Sequence, residues 1–387
     1  MTNLGRTRKR IFVGMSGGVD SSVSAALLKK AGFEVVGVFI KIWEPSFNFS
    51  TVLGTTCSWR EERREARRAA AHLDIPLLTL DLSREYKKRV VDYFIAEYKS
   101  GRTPNPDVMC NKHIKFGVFY DWAMKNSADF VATGHYSQIL RNEKRKVPEI
   151  SNPPLCPRVG EGSFSFGVSQ DLKKDQTYFL WNLKTEQLSK ILFPVGKYTK
   201  PKVRALAKKF GLPNADKKDS QGLCFVGKID FKDFLKHELA EKSGAVLNEQ
   251  GEIIGEHDGA MFFTLGERHG FKIFSQTSNS KPYYIVAKDI EKNTLTVATN
   301  SNHSDQGRAL ISEVKIEKTN WLNPKIKKLG FLARVRYRQP LQKCRVLKID
   351  TKKSGATIAF DQPQLAVSGQ SLVLYDKNIC LGGGIIA

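Results

Sequence analysis

The residues best suited to chemistry lie near the start of the chain, between a short apolar run and a helical pattern. Three glycines there allow the backbone to approach an anion closely. A helix beginning near Val19 would point free N–H groups and its positive dipole end at the same turn. The run is Gly14, Met15, Ser16, Gly17, Gly18, Val19, Asp20 and Ser21. This order predicts a strand, a phosphate-binding turn and a helix.

Two common phosphate motifs are excluded for this run. It lacks the closing Gly-Lys-Ser/Thr of a Walker A loop and the Gly-x-Gly-x-x-Gly spacing of a dinucleotide site. The alternative is a plain tight turn in which Ser16 caps the helix. The full Ser-Gly-Gly-Val-Asp-Ser stretch is similar to the pyrophosphatase loop of enzymes that cleave ATP between the α- and β-phosphates and adenylate a substrate oxygen.

Two of the six cysteines have surroundings that indicate chemistry. Cys110 follows a segment rich in proline that also presents Asn105 and Asp107, with lysines and a histidine nearby. We expect a loop that exposes this thiol and lowers its pKa. Cys224 follows a charged loop with two lysines, and packing and chemistry are equally open for it. For each cysteine the alternative is a small buried apolar residue.

The cysteine pattern, composition and charge exclude several classes of protein. The absence of a Cys-x-x-Cys pair argues against a zinc site and a secreted disulfide framework. No apolar window is long enough for a membrane span, and the basic start leads directly into a strand, which predicts a cytoplasmic protein unless that start is an organelle address. The net charge of +23 favours a polyanionic partner, above all nucleic acid, although a basic proteome would give the same bias.

Apolar runs alternate with helical patterns through the first half of the chain. Strands are predicted at 11–13, 33–40, 75–80 and 129–134, with helices at 59–72, 84–98, 174–180 and 201–209. This alternation predicts an α/β fold with a parallel, doubly wound sheet and a ligand at the carboxyl ends of the strands. Residues 142–167 are polar and aperiodic and predict a surface excursion.

Short β-branched runs separated by turns dominate the chain after Pro282 and predict an antiparallel barrel or sandwich. We expect three domains: a domain at 1–228 that holds the phosphate loop, a small central domain at 229–305, and a C-terminal β-barrel domain at 306–387. Cationic residues near the barrel strands are predicted to clamp the backbone of a nucleic acid: Arg334, Arg336, Arg338, Lys343 and Arg345.

With the phosphate loop, five further segments in this order resemble the tRNA-specific 2-thiouridylases from end to end. These segments are 105–116, Thr133-Gly134-His135-Tyr136, Lys174-Asp175-Gln176, 219–225 and the terminal Cys-Leu-Gly-Gly-Gly-Ile-Ile. The resemblance implies an adenine nucleotide α-hydrolase-like catalytic domain and ATP-dependent replacement of the C2 oxygen of the wobble uridine, position 34, by sulfur.

The resemblance also assigns roles to residues. Cys110 matches the nucleophile, Cys224 the persulfide carrier and Asp107 the acid beside the target base. ATP contacts fall on 14–21, Ile40 and Gly134; position 40 is usually methionine, and isoleucine should keep the adenine wall. The implied tRNA contacts are Asn105, Pro106, Asp107, His135, Lys174, Asp175, Gln176, Arg336, Tyr337, Arg338 and Gln370.

The chemistry implied by the family is consistent with these residue types. AMP attached to the C2 oxygen makes it a good leaving group, and Mg²⁺ would neutralise pyrophosphate with few protein ligands. A sulfur carrier or a cysteine desulfurase would load Cys224, and Cys110 would attack the persulfide and end in a disulfide with Cys224. The rival interpretations are an adenylating enzyme that makes an amide on a small metabolite, and a basic RNA-binding module with a vestigial nucleotide site.

Overall fold

A five-stranded parallel sheet forms the centre of the first part of the chain. The computed structural model describes residues 8–43, 59–141, 164–219, 231–275, 281–299, 310–322, 330–350 and 352–387. Its first strands are β1 (Arg10–Gly14), β2 (Glu34–Lys41), β3 (Leu77–Asp81), β4 (Phe130–Ala132), β5 (Ser137–Arg141), β6 (Phe164–Val168) and β7 (Ile191–Leu192). The sheet has the order β3-β2-β1-β4-β7, and all of its pairs are parallel. The strand order reverses at β1, so the β1 and β4 ends form the expected ligand-binding edge.

Helices accompany this sheet. They are α1 (Val19–Lys30), α2 (Trp59–His72), α3 (Ser83–Tyr86), α4 (Asp92–Lys99), α5 (Pro106–Met109), α6 (Phe119–Lys125), α7 (Lys200–Lys209) and α8 (Phe231–Glu238). π-Helical segments, Lys87–Val91 and Cys110–Val118, join α3 to α4 and α5 to α6. None of the helices in the described ranges has the length and apolarity needed to cross a membrane.

Helix α1 is buried despite its serines, because those serines bond to its own backbone. The Ser22 hydroxyl donates to the Gly18 carbonyl at 3.0 Å and the Ser24 hydroxyl to the Asp20 carbonyl at 2.9 Å. Satisfied hydroxyls can enter a core at little cost. Helix α2 packs through Ala66, Ala69 and Ala70 while its charged residues face solvent.

A small mixed sheet forms the central part of the chain. Its strands are β8 (Gly244–Leu247), β9 (Ile253–His257), β10 (Lys272–Ile273), β11 (Tyr283–Asp289) and β12 (Thr294–Thr299). The order is β10-β9-β8-β12-β11, and only the β12–β8 pair is parallel. The sequence patterns revealed β11 and β12 but not the three preceding strands, whose glycines and short lengths conceal the alternation.

Six antiparallel strands close into a barrel at the C-terminal end. They are β13 (Ile311–Trp321), β14 (Phe331–Arg334), β15 (Gln342–Asp350), β16 (Gly355–Gln364), β17 (Ser371–Asp376) and β18 (Ile379–Ile386). The order is β13-β16-β15-β14-β17-β18, and pairing of β13 with β18 completes the ring. Buried Val314, Ile358, Leu372 and Leu374 belong to its core. The fold class predicted from sequence is confirmed.

The barrel sheet continues into the first part of the chain. Strand β18 pairs with β6 at Ile379 and Gly167, and β6 pairs with β5. The prediction of a surface excursion over 142–167 is therefore wrong for Phe164 to Gly167, which belong to β6. Phe164, Phe166 and Val168 alternate with smaller residues, as strand residues do. Residues 142–163 lie outside the described ranges.

The predicted helix at 174–180 is also wrong. The structure has a turn there and then a 3-10 segment, Thr177–Phe179. The Gln176 N–H donates to the Tyr136 carbonyl at 2.9 Å, and the Asp175 carboxylate accepts from the Ser169 N–H at 3.1 Å. These two bonds replace the bonds of a regular helix.

Candidate active site

The phosphate-loop candidate is a tight turn between the end of β1 and the start of α1. Gly17 has φ +75°, and a Cβ there would lie 2.3 Å from the Glu62 carbonyl oxygen. Gly18 is the N-cap of α1 and provides no side-chain cap, so Ser16 does not have the capping role considered from sequence. Because no side chain caps the helix from Gly18, the first-turn N–H groups suit an anion.

Gly134 packs against the start of α1. A Cβ at Gly134 would lie 2.7 Å from the Ser21 nitrogen and 2.8 Å from the Asp20 carbonyl carbon. Only glycine allows this approach without a shift of the backbone. Gly14 ends β1, Gly134 follows the neighbouring β4, and Ile40 lies near the carboxyl end of β2 beside them. The residues predicted to contact ATP therefore meet at one edge of the sheet.

Asp20 is held by two partners from distant parts of the chain. Its carboxylate accepts from the Tyr136 hydroxyl at 2.9 Å and from Lys200 Nζ at 2.7 and 2.8 Å. Buried Asn214 also stabilises the loop, because its amide donates to the Gly17 carbonyl and to the Ser22 hydroxyl, both at 3.0 Å. These contacts fix the position of the loop and its carboxylate before any ligand binds.

Cys110 lies in a helical region and not in the exposed loop that we expected. Helix α5 begins at Pro106 because the Asn105 side chain accepts from the Val108 N–H at 3.3 Å and proline suits the first helical turn. Cys110 is only 2% exposed, so the prediction of an exposed thiol is wrong for this structure. Asp107 is half-buried one helical turn before it.

The cationic surroundings of Cys110 are weaker than the sequence indicates. Burial, followed by the charges of Lys112 and Arg89, lowers the pKa of His113 to about 4. Burial also lowers the pKa of Lys112. His113 is therefore neutral near pH 7. Cys224, the other predicted reactive cysteine, lies outside the described residues, and so does Cys57.

Each residue of the Lys174-Asp175-Gln176 segment has an internal partner. Lys174 Nζ lies 2.6 Å from an Asp219 carboxylate oxygen, and the Gln176 side-chain oxygen accepts from the Tyr136 N–H at 2.9 Å. Asp175 is 2% exposed and pairs with Arg334 at 3.3 Å. The structure thus gives this segment a connecting role, and its predicted tRNA contacts stay predictions.

Asp175 belongs to a buried polar group that joins the barrel to the rest of the molecule. Its carboxylate accepts from the Thr177 hydroxyl at 2.8 Å, and that hydroxyl also contacts the Tyr375 hydroxyl at 3.0 Å. Burial raises the pKa of Asp175, while the Thr177 hydroxyl and Arg334 oppose that effect. Arg334, 6% exposed, lies over the Tyr375 ring. It therefore does not belong to the surface that was predicted to clamp RNA.

His135 is buried and neutral. A ring nitrogen lies 2.7 Å from the Thr133 hydroxyl, and the ring packs beside Phe116 and Phe193. Burial, with a smaller contribution from the charge of Lys115, lowers its pKa well below the usual histidine value. A tRNA contact by His135 would therefore be a neutral hydrogen bond.

The barrel contributes two further segments to the same region. The Gln370 side chain donates to the Thr103 carbonyl at 2.8 Å, immediately before the Asn105–Asp107 segment. Tyr337 packs against Phe179 with ring centroids 4.5 Å apart, and the Phe179 carbonyl accepts from Asn111, which follows Cys110. The other predicted clamp residues are exposed: Arg336, Arg338, Lys343 and Arg345.

Sequence reasoning gave no role to the side chains that hold these parts together, although two of them, Tyr136 and Asp219, lie in segments that carry the family resemblance. They are Tyr136, Lys200, Arg204, Asn214 and Asp219. One signal was present for Lys200, since a lysine at the first position of a helix is disfavoured by the helix dipole. The other side chains contact residues that are far away in the chain, and a single sequence does not reveal such contacts.

Three family models match successive parts of the chain. Residues 9–228 match the family model described as the tRNA methyl transferase HUP domain, 232–299 the tRNA methyl transferase PRC-barrel domain, and 311–386 the aminomethyltransferase beta-barrel domain. Among solved structures, a 4-thiouridine synthetase bound to RNA and ATP matches with 18% identity and a TM-score of 0.32, over 59% of this chain and 50% of that one.

Curated relatives match over nearly the whole length. The tRNA-specific 2-thiouridylase MnmA of Streptococcus equi subsp. zooepidemicus is 42% identical over 382 residues, covering 98% of this chain and 95% of that protein. The tRNA-specific 2-thiouridylase MnmA of Streptococcus mutans is 41% identical over 384 residues with the same coverage. With the loop, sheet and barrel described above, these matches show that the chain belongs to the tRNA-specific 2-thiouridylase family.

Proposed function

We propose that this enzyme replaces the C2 oxygen of uridine 34 of tRNA by sulfur, using ATP and releasing AMP and pyrophosphate. The supporting observation is the hydrogen bond between Gln370 of the barrel and Thr103. This bond joins a barrel residue that is predicted to contact tRNA to the chain just before Asn105, which supports the proposal. A substrate held by the barrel could therefore present its base to that segment.

The first step of the proposal is adenylation of the base. The uridine C2 oxygen attacks the α-phosphorus of ATP, the bond to the bridging oxygen breaks, and pyrophosphate leaves. The glycine turn and the start of α1 would hold the phosphates, with Asp20 held in place by Tyr136 and Lys200. Near neutral pH the C2 oxygen is a poor leaving group, and the attached AMP makes it a good one.

The second step transfers sulfur from a persulfide on Cys224. The Cys110 thiolate attacks the Cys224 sulfur, the sulfur–sulfur bond breaks, and the terminal sulfur takes the electron pair to C2 as AMP departs. A Cys110–Cys224 disulfide remains, which an external thiol must reduce. Cys110 is buried, so we infer that tRNA binding uncovers it.

Mg²⁺ is the metal that this reaction would use. Among the described residues, no group of three or more His, Cys, Asp and Glu side chains is arranged to hold a metal. Mg²⁺ bound with ATP takes few protein ligands. The Asp20 carboxylate beside the phosphate loop would contribute one of them. Bound Mg²⁺ would neutralise the pyrophosphate. A sulfur carrier or a cysteine desulfurase would load Cys224.

The products of ATP cleavage test the first step. Wild-type enzyme with tRNA should form AMP and pyrophosphate, and Asp20→Ala should abolish this, whereas Asp216→Ala, at an exposed carboxylate of the same region, should not. Dependence of pyrophosphate release on tRNA excludes an enzyme that acts on a small metabolite. ADP as the product, or undiminished turnover by Asp20→Ala, would contradict the proposal.

Cysteine variants test the second step. Cys110→Ser and Cys224→Ser should each stop thiolation and leave AMP formation largely intact, because adenylation precedes sulfur transfer. Cys344→Ser, at a buried position in the barrel, is the control. Peptide mapping of non-reduced enzyme after one turnover should find Cys110 linked to Cys224. A Cys57–Cys110 linkage, or full thiolation by Cys224→Ser, would show that the wrong cysteines were paired.

A further inference from the structure

Lys200 forms ion pairs with two carboxylates from distant parts of the chain. Its ammonium lies 2.7 and 2.8 Å from the two Asp20 oxygens and 2.8 Å from an Asp219 oxygen. Lys200 is 8% exposed. An ammonium has three donors, and carboxylate oxygens occupy three positions around this one. Lys200 therefore joins the phosphate loop directly to Asp219.

Asp219 receives two more cations. Lys174 contacts one of its oxygens at 2.6 Å, and Arg204 contacts the other at 2.8 Å. Burial alone would raise the pKa of Asp219, but hydrogen bonds from Lys174 and Lys200 hold it at about 2. Asp219 is thus ionised throughout the physiological range, and it keeps two cations if Lys200 turns elsewhere.

The position of Lys200 opposes local helix preferences. It is the first residue of α7, where the helix dipole is positive and a lysine is disfavoured. The carboxylate of Asp171 offsets part of this cost by accepting from the Lys200 backbone N–H at 2.8 Å. A cation that is buried at an unfavourable helix position, and aimed at a phosphate-binding turn, is placed for an anion.

We propose that Lys200 is a positioning residue for the polyphosphate of ATP, and that Asp219 competes with the polyphosphate for its ammonium. This inference rests on the proposed function. Phosphate oxygens that enter the turn would take over one donor of Lys200, and Asp219 would keep Lys174 and Arg204. Because the two anions compete for one donor, a change that weakens the Lys200–Asp219 pair should strengthen polyphosphate binding.

The proposal predicts opposite effects for the two partners. Lys200→Met should weaken the binding of inorganic pyrophosphate and of ATP by about tenfold or more, because a charged hydrogen bond is lost. Lys200→Arg, which keeps a cation, should restore most of the affinity. Asp219→Asn should tighten pyrophosphate binding by about fivefold, since an ion pair whose carboxylate is about a third exposed has a modest energy. A merely structural role for Asp219 would not produce a gain.

Calorimetric titration of the full-length enzyme with pyrophosphate, without tRNA, measures these effects. The gain in Asp219→Asn should disappear in Lys200→Met/Asp219→Asn, which would show that it acts through Lys200. The controls are Lys202→Met, an exposed lysine of the same helix, and Asp216→Asn, an exposed carboxylate. Neither control should change the affinity.

Three results would overturn the inference: unchanged affinity in Lys200→Met, no gain in Asp219→Asn, or a gain that persists without Lys200. If Lys200→Met does not fold, the Asp219→Asn and Lys200→Arg affinities decide the matter. The proposed function is judged separately, by the products of wild-type enzyme with ATP and tRNA. An enzyme that couples Lys200 to Asp219 but releases ADP would refute that function and leave this inference standing.

Discussion

Loss of Arg334 should destabilise the protein strongly, because it leaves a buried carboxylate without its cation. The Asp175 and Arg334 side chains are 1% and 8% exposed, and their charges lie 3.3 Å apart. Removing one member of such a pair typically costs about 3–5 kcal/mol. For a domain the size of the barrel, this cost corresponds to a decrease in Tm on the order of 10 °C or more. Arg334→Met should show that decrease at pH 7.

The pH dependence of the variant follows from the Asp175 carboxyl. Burial raises its pKa above the usual value even with Arg334 present, so ionisation of Asp175 costs stability as the pH rises through the folded-state pKa. Without Arg334 that pKa should rise further. The deficit of Arg334→Met relative to wild type should therefore shrink as the pH falls from 7 towards 5.

Thermal unfolding monitored by circular dichroism measures both effects. Arg336→Met, at an exposed arginine two residues further along, is the matched control and should change Tm little. Asp175→Asn/Arg334→Met removes both charges and should be clearly more stable than Arg334→Met. A Tm for Arg334→Met within about 2 °C of wild type, or a double variant no better than the single one, would refute the reasoning.

Three further predictions concern ligand binding and pH. Gly17→Ala should weaken ATP binding and lower Tm, since its Cβ would lie 2.3 Å from a backbone oxygen. Gly32→Ala, where φ is positive but the space around the Cβ is open, should lower the free energy of unfolding by only about 1 kcal/mol. Equal losses of stability in the two variants would contradict this. Because His135 is neutral, the kcat/KM ratio of wild type to His135→Gln should stay constant from pH 6 to 8, and a ratio that follows a titration would refute the buried, neutral histidine. Arg336→Gln/Arg338→Gln should reduce the log–log salt slope of tRNA binding by roughly 0.7 to 0.9 per lost phosphate contact, and an unchanged slope would assign these arginines another task.

The sequence predicted those parts of the fold that depend on local pattern. The helix at 59–72 appears with the expected bounds, and the strand predicted at 33–40 is β2, Glu34–Lys41, because periodicity and β-branched content act over a few residues. The Lys174–Leu180 helix failed because a backbone bond from Gln176 to Tyr136, and a bond from the Ser169 N–H to the Asp175 carboxylate, took the place of helical bonds. Its apolar residues are compatible with a helix and with the observed turn and 3-10 segment, and only the tertiary contacts decide between the two.

The site was predictable in its residue types and less so in its contacts. The glycines of the loop lie in a tight turn between β1 and α1, as predicted, and their contact with ATP phosphates stays a prediction. The ion pair between Asp20 and Lys200, and the pair between Asp175 and Arg334, join residues far apart in the chain. Such pairs depend on how the elements pack, so composition and spacing did not reveal them. The burial of Cys110 likewise follows from the Asn105 cap, which turns a proline-rich segment into a helix.

Pairing of the β5–β6 hairpin with β18 has a consequence for synthesis of the chain. Gly167 leaves the ribosome about 200 residues before its partner Ile379. At about 5–20 residues per second, the outer edge of β6 waits on the order of 10–40 s for β18. During that time its N–H and C=O groups offer a template to any other extended chain. Nascent molecules should therefore be prone to aggregation, and should depend on chaperones, until β18 has been made.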